Sequence, residues 1–251
     1  MDKLIKPVLT EMTASFIFIL TVTGVFAADV LSGGNLGWVG VALTSAFVFT
    51  ALLAMTMPSS GGHITPAVTL GHFFAGRIGL QTALLYVAAQ LVGALLAGLS
   101  TRAMFPDYAW QPVNLGAPVA AAGVSLLGAV VIELVFTALF VGAVLACMSE
   151  DRISKNAAPW AIGCALGFCT LVAGPLTGAA LNPARSFGAA VGSGYWTNQW
   201  VYWIGPILGA IVAPYVARLA GVKMAKAEKS PWAELSHIIR PETKESKVGA
   251  R

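Results

Sequence analysis

Two short stretches hold the polar side chains whose types and spacing are most informative, residues 61–71 and 178–188. Each opens and closes on glycine and carries a polar residue before Pro-Ala. Proline suits the first turn of a helix because the N–H that it lacks would be unpaired there, and a preceding Thr or Asn can cap that helix. We therefore predict two loops that each turn into a short helix. The residues that carry the pattern are Thr65, Pro66 and Ala67 in the first stretch and Asn182, Pro183 and Ala184 in the second.

The composition says what surrounds these stretches. Of the 251 residues, 57% are hydrophobic and only 10% are charged, whereas soluble domains carry about 25% charged residues. The chain is therefore predicted to be an all-α integral membrane protein embedded in a lipid bilayer. The net charge of +4 is attributed to a cytoplasmic tail, not to nucleic-acid binding. The three cysteines show no metal-ligand spacing, and no cofactor or metal is expected.

Six apolar runs are long enough to cross the bilayer, which takes about 20 helical residues. Residues 58–79 and 175–198 are too short and too broken by Gly and Pro to cross it, so we predict that they are re-entrant. The six predicted spans are residues 8–28, 37–57, 80–103, 123–148, 159–175 and 199–221.

The two halves of the chain repeat. Pro183 lies 117 positions after Pro66, and Glu133 lies 122 positions after Glu11. Repeat one covers about 8–103 and repeat two about 123–221 within a channel domain of residues 1–221, followed by a tail of residues 222–251. Because each repeat has three spans, the second is inverted. Inverted repeats with a site at their interface are typical of transport proteins.

The distribution of Lys and Arg predicts the orientation. The loops 29–36 and 104–122 contain neither residue, whereas the 149–156 loop contains Arg152 and Lys155 and the tail contains seven more. By the positive-inside rule both termini are expected in the cytoplasm. The expected location is a plasma membrane or a bacterial inner membrane.

Glu11 and Glu133 lie inside predicted spans, where a carboxylate is costly unless it is paired or hydrated. One hypothesis makes them proton-relay groups. The other makes them acceptors for backbone N–H groups of the neighbouring re-entrant loops. Their symmetric placement favours the second, because proton coupling needs no duplicate.

Arg185 and His63 are the other candidates. Arg185 falls on the first turn of the second predicted short helix, where its guanidinium could line a pore constriction that repels cations. The corresponding position in the first repeat is Val68. His63 is a candidate pore-loop group or pH-sensitive group, although a structural role in the loop is favoured.

On these residues the chain resembles the aquaporin (major intrinsic protein) family over about residues 5–220. The resemblance implies six transmembrane helices plus two re-entrant half-helices in an inverted repeat, and a homotetramer with one pore per subunit. Thr65 departs from the Asn that the family usually has there. We expect permeation to survive with weaker orientation of water at that point, because Thr keeps one hydroxyl donor.

The resemblance also implies a selectivity constriction. Family spacing places it at Ser45, Thr170, Ala179 and Arg185. Water-selective members carry an aromatic and a His where this chain has Ser45 and Thr170, so the constriction is expected to be wide and polar. Four flanking residues instead match the water-channel pattern: Ser186, Ala190, Tyr202 and Trp203.

The leading hypothesis is a passive channel for water and small uncharged solutes that excludes ions and protons, and not an enzyme. A first alternative is a channel mainly for boric, silicic or arsenious acid, or for glycerol or urea. A non-conducting scaffold or adhesion protein is the alternative from another class, but it predicts bulky residues in the constriction. A proton-coupled transporter would need the two buried carboxylates for proton transfer.

Overall fold

The computed structural model describes residues 2–149, 154 and 156–222, and the regular structure within them is helical throughout. Arg152, Lys155 and the tail from residue 223 lie outside the described residues. The long helices are α1 (Asp2–Leu31), α2 (Gly37–Ser60), α4 (Leu80–Met104), α6 (Leu126–Cys147), α7 (Ala158–Thr177) and α9 (Val201–Leu219). The shorter elements are α3 (Pro66–Phe74), α5 (Asp107–Trp110), a 3₁₀ turn (Gln111–Gly116) and α8 (Pro183–Ser193).

The six long helices are long and apolar enough to cross a membrane, as predicted. Helix α1 runs past both of its predicted ends, and two other helices continue past a proline near their predicted C-terminal ends. Helix α2 continues past Pro58 to Ser60, and α7 continues past Pro175 to Thr177. A proline this near the end of a helix removes one hydrogen bond without preventing the last turn. Glycine then ends each helix in the left-handed region, at Gly61 with φ 89° and Gly178 with φ 85°.

The helices pair as an inverted repeat would require. Helix α1 packs against α4, and its counterpart α6 packs against α9, while α2 and α7 meet each other. The two short helices cross between the halves: α3 contacts α9, and α8 contacts α4. Both therefore begin inside the bundle, because each is enclosed by long helices of both repeats.

Glycines on α4 and α9 allow their helices to approach closely. A Cβ atom added to Gly93 of α4 would overlap the carbonyl oxygen of Met12 on α1. One added to Gly209 of α9 would meet the carbonyl oxygen of Leu134 on α6. Such close backbone contact is how membrane helices associate without a hydrophobic driving force.

Arg77 connects the segment after α3 to the C-terminal end of α6 by hydrogen bonds. Its Nη2 donates to the carbonyl oxygen of Leu145 at 2.9 Å and to the hydroxyl of Ser149 at 2.7 Å. Burial lowers the pKa of Arg77 from its usual value. Leu145 lies in the last turn of α6, where the carbonyl oxygens have no N–H partner within the helix. The guanidinium of Arg77 supplies a donor to one of these oxygens.

Candidate functional site

The two short helices are capped by the residues that the sequence singled out. The Thr65 hydroxyl oxygen accepts a hydrogen bond from the N–H of Val68 at 3.1 Å. The Asn182 side-chain oxygen accepts one from the N–H of Ala184 at 2.9 Å. Both caps have extended backbone, and Pro66 and Pro183 follow them at the first helical position. The capping oxygens are thus engaged, which leaves the donor group of each side chain for other partners.

Those donors lie deep in the protein. Asn182 is 3% exposed, and its Nδ2 is buried without a hydrogen-bond partner among the described residues. Thr65 is 1% exposed, and its hydroxyl proton stays available while the oxygen accepts from Val68. A buried amide nitrogen without a partner is costly. The Asn182 amide is therefore suited to a guest molecule with an acceptor oxygen.

Glu11 holds the loop before α3. Its Oε1 accepts from the N–H of His63 at 3.0 Å, and its Oε2 accepts from the N–H of Ile64 at 2.6 Å. The Ser60 hydroxyl and the Gln90 amide also donate to this carboxylate, at 2.5 and 2.8 Å. The carboxylate is completely buried, and these four donors occupy its oxygens.

Glu133 holds the loop before α8 in the same way. Its Oε1 accepts from the N–H of Ala180 at 2.9 Å and from the Thr177 hydroxyl at 2.7 Å, and its Oε2 accepts from the N–H of Leu181 at 2.8 Å. It too is completely buried. Both carboxylates therefore bind backbone N–H groups of the loops, the arrangement that their symmetric placement favoured.

Arg185 lies at the start of α8 with its guanidinium inside the protein. The residue is 3% exposed, and its Cζ lies 5.6 Å from the ring centre of Phe26, which allows a cation–π contact. Its Nη1 is buried and has no hydrogen-bond partner in the described part of the chain. This side chain therefore presents a fixed positive charge and a free donor to its surroundings.

The structure brings the four predicted constriction residues to one narrow cavity. The space in which the centre of a water molecule can lie is about 10 Å³, roughly what a single water needs. Small side chains at positions 45, 170 and 179 led us to expect a wider opening. Larger apolar side chains also line this cavity. The cavity is lined by Phe18, Val22, Val41, Ser45, Leu166, Thr170, Ala179, Ala180 and Arg185.

The sequence analysis missed five residues of the cavity wall: Phe18, Val22, Val41, Leu166 and Ala180. For Phe18 and Val22 a signal was present. They follow Glu11 by seven and eleven positions, so all three fall on one face of helix α1. The face of α1 that carries Glu11 therefore also carries the two residues that line the cavity.

His63 belongs to the first loop, and its ring contacts other buried groups. It is 3% exposed, and its Nδ1 lies 3.2 Å from the Thr69 hydroxyl. Its ring stacks on His72 at 4.4 Å between centres and meets the edge of Tyr86 at 5.1 Å. The cavity at Arg185 does not include His63 among its lining residues.

Comparisons with known proteins agree with this architecture. The family described as Major intrinsic protein matches residues 2–217. Aquaporin TIP4-4 of Zea mays is 38% identical over 234 residues, which cover 90% of each chain. Probable aquaporin TIP3-2 of Arabidopsis thaliana is 35% identical over 224 residues, which cover 84% of this chain and 82% of that protein.

A solved structure shares the fold. The aquaglyceroporin of Plasmodium falciparum superposes with a TM-score of 0.73 at 19% identity, covering 86% of this chain and 94% of that one. With six apolar helices, two capped short helices and a family match over most of its length, this chain belongs to the major intrinsic protein family of passive membrane channels for water and small solutes.

Proposed function

We propose that this channel conducts water as its main permeant, together with small uncharged solutes, along a path past Thr65, Asn182 and the cavity at Arg185. The observation that carries the proposal is that two buried donors, Asn182 Nδ2 and Arg185 Nη1, have no hydrogen-bond partner within the part of the chain that the structure describes. A stream of molecules with acceptor oxygens would satisfy both groups in turn, and water is the smallest such molecule.

Exclusion of ions and protons follows from the same groups. The N-terminal ends of α3 and α8 are positive, and each begins inside the bundle beside its capping residue. Arg185 adds a full positive charge at the narrow cavity, so a cation must lose its hydration shell next to positive groups. Asn182 and Arg185 offer donors, which orient water oxygen toward them and interrupt a continuous proton-conducting chain.

The size of the cavity supports water over larger solutes. About 10 Å³ of space for water centres accommodates one water at a time, whereas glycerol or boric acid would require the walls to move apart. The flanking residues Ser186 and Tyr202, which match the water-channel pattern, support the same preference. A channel mainly for metalloid acids, glycerol or urea remains the second candidate, supported by the hydroxyls of Ser45 and Thr170 in the wall.

The contacts of the two carboxylates argue against proton coupling. Glu11 accepts from His63, Ile64, Ser60 and Gln90, so its oxygens serve the loop. A scaffold without conductance is also less well supported, because the cavity beside Ser45, Thr170 and Ala179 still has room for about one water molecule, whereas a plug would fill it.

We further propose that the protein is a homotetramer in a cell membrane. Both termini of each subunit would lie on the cytoplasmic side. The spans leave large apolar side chains on the outer surface, among them Met55, Leu127 and Trp160. Exposed apolar side chains in a membrane protein contact either lipid or another subunit. Native mass spectrometry in mild detergent measures the number of subunits.

The orientation is tested in a variant in which the three native cysteines, Cys147, Cys164 and Cys169, are replaced. Labelling of a single cysteine added at residue 33 or 120, from one side of the membrane, then reports on which side that loop lies.

The function is tested by stopped-flow light scattering on proteoliposomes. Shrinkage in a sucrose gradient reports water, and reswelling in glycerol, urea or boric acid reports each solute. Fast water flux with slow solute entry supports the proposal. Solute entry as fast as water would favour the second candidate, and flux equal to that of empty liposomes would favour the scaffold.

A further inference from the structure

We propose that Phe18 of α1 is the side chain that sets the width of the narrow cavity, and that it excludes solutes larger than water. This rests on the proposed function, because it assigns the size limit within the same conducting path. The assignment differs from the four-residue constriction that the resemblance implied, in which the ring of Ser45, Thr170 and Ala179 would set the width.

The first support is the mismatch between the small ring residues and the small cavity. Ser45, Thr170 and Ala179 have short side chains, yet the space for water centres is only about 10 Å³. Phe18 is the largest apolar side chain in the wall of that cavity, and it is 4% exposed. An aromatic from α1 thus occupies space that small residues at positions 45 and 170 leave open.

The second support is that the Phe18 ring is held in place. Its centre lies 5.4 Å from that of Phe49, edge to face at 78°. Phe49 is completely buried and makes a second edge-to-face contact with Phe140, at 5.4 Å and 74°. Interiors packed this closely resist displacement. Phe18 can therefore not turn away from the path unless Phe49 and Phe140 also move.

The third support is the polarity of the wall. Arg185 supplies charge and donors, while Phe18, Val22 and Leu166 supply apolar surface. Water can keep hydrogen bonds to the polar groups while it passes the ring. A polyol or a trihydroxy acid carries polar groups on several sides, and those that meet the ring lose their hydrogen bonds. The ring would therefore exclude such solutes by polarity as well as by size.

Phe140 provides a matched control. It follows Phe18 by 122 positions, the offset that relates Glu11 to Glu133, so it is the counterpart of Phe18 in the second repeat. It contacts the same Phe49 ring and is equally buried, but it does not line the cavity. Phe140→Leu and Phe18→Leu remove similar volume from one aromatic cluster, and only one of them changes the cavity wall.

The test measures water and glycerol permeability of the full chain in proteoliposomes for wild type, Phe18→Leu, Phe18→Ala and Phe140→Leu. In Phe18→Ala the ratio of glycerol to water permeability should rise about tenfold, the change given by a barrier lowered by about 1.4 kcal/mol. Phe18→Leu should give a smaller rise in this ratio. If Phe18→Ala cannot be reconstituted into liposomes, the ratio for Phe18→Leu is the test. Phe140→Leu should keep the wild-type ratio.

An unchanged ratio in both Phe18 variants would overturn the inference, and so would an equal rise in Phe140→Leu. If the wild-type protein conducts no water, the proposed function is wrong, whatever the Phe18 variants show. In that case flux through Phe18→Ala would still identify Phe18 as the limiting wall, and its absence would overturn both proposals.

Discussion

The carboxylate of Glu133 accepts the backbone N–H of Leu181 at 2.8 Å, and Leu181 has a left-handed backbone with φ 51°. Glu11 and Ile64 show the same relationship, at 2.6 Å and φ 63°. A β-branched or bulky residue rarely adopts this conformation, because its Cβ approaches the backbone. Each buried carboxylate therefore compensates for local strain by binding the N–H that the strained loop presents.

We predict that Glu133→Gln destabilises the protein by about 1–3 kcal/mol, the cost of leaving one buried backbone donor unsatisfied. Glutamine can still accept from part of the loop, but its NH₂ group will face another N–H. Glu133→Ala should cost more, because it leaves the N–H groups of Ala180 and Leu181 and the Thr177 hydroxyl without their acceptor. Thermal unfolding in detergent measures both variants.

The counterpart substitution Glu11→Gln serves as the comparison for Glu133→Gln, since it removes the same kind of acceptor from the first loop. Similar losses at both positions would support a structural role for both. Normal stability together with altered dependence of transport on a proton gradient would contradict that role.

At Thr65 we predict that asparagine is tolerated and valine is not. Thr65→Asn should leave water permeability within about twofold of wild type, since both side chains offer one acceptor and at least one donor. Thr65→Val has nearly the same shape but cannot accept from Val68, so it should lower the free energy of unfolding by about 1 kcal/mol. Stopped-flow permeability and thermal unfolding measure the two effects.

A proton-sensitive dye inside the same vesicles extends this test. Wild type and Thr65→Asn should both exclude protons. A leak in wild type that disappears in Thr65→Asn would show that the hydroxyl orients water too weakly.

Replacing Arg185 by valine, the residue at the corresponding position of the first repeat, should admit cations. We expect the permeability to protons or sodium to rise by at least about tenfold, as for a barrier lowered by about 1.4 kcal/mol, while water still passes. Arg102→Val is the control, because Arg102 contacts Trp110 and the carbonyl oxygen of Gly192 and lies away from the cavity. Ion flux that rises equally in both variants would contradict the role of Arg185.

The contact between α4 and α8 is predicted to require glycine. A Cβ atom at Gly98 would overlap the carbonyl oxygen of Gly188, and backbone cannot move aside as a side chain can. Gly98→Ala should therefore destabilise the protein by about 3 kcal/mol or more, the upper range for overpacking. Gly24→Ala is the control, because its new Cβ would lie 3.5 Å from the nearest atom of Phe105, an ordinary contact. Equal melting temperatures for the two variants would contradict this account.

Periodicity and composition were enough for the membrane architecture. Long apolar runs can satisfy their backbone groups in a bilayer only as helices, so six spans could be counted from the sequence. The short helices at Pro66 and Pro183 were also predictable, because a capping residue followed by proline has a local cause. The ends of α2 and α7 were not, since the glycines at 61 and 178 set them more strongly than the preceding prolines.

The residues of the candidate site could likewise be predicted in part from the sequence. Glu11, Glu133, Asn182 and Arg185 could be singled out because polar groups are costly at membrane depth and therefore conspicuous in an apolar sequence. For the two carboxylates the loops could be named as partners but not the individual N–H groups, since the carboxylate of α1 meets Ile64 only through packing of segments that are distant in sequence.

The sequence by itself determined the number of spans, the repeat and the identity of the polar residues, because each depends on local chemistry or on hydrophobicity. The tertiary structure alone decided how wide the cavity is. The spacing from Glu11 places Phe18 on the same face of α1, but the position of its ring, packed against Phe49 in the wall beside Arg185, depends on contacts between helices that are distant in sequence.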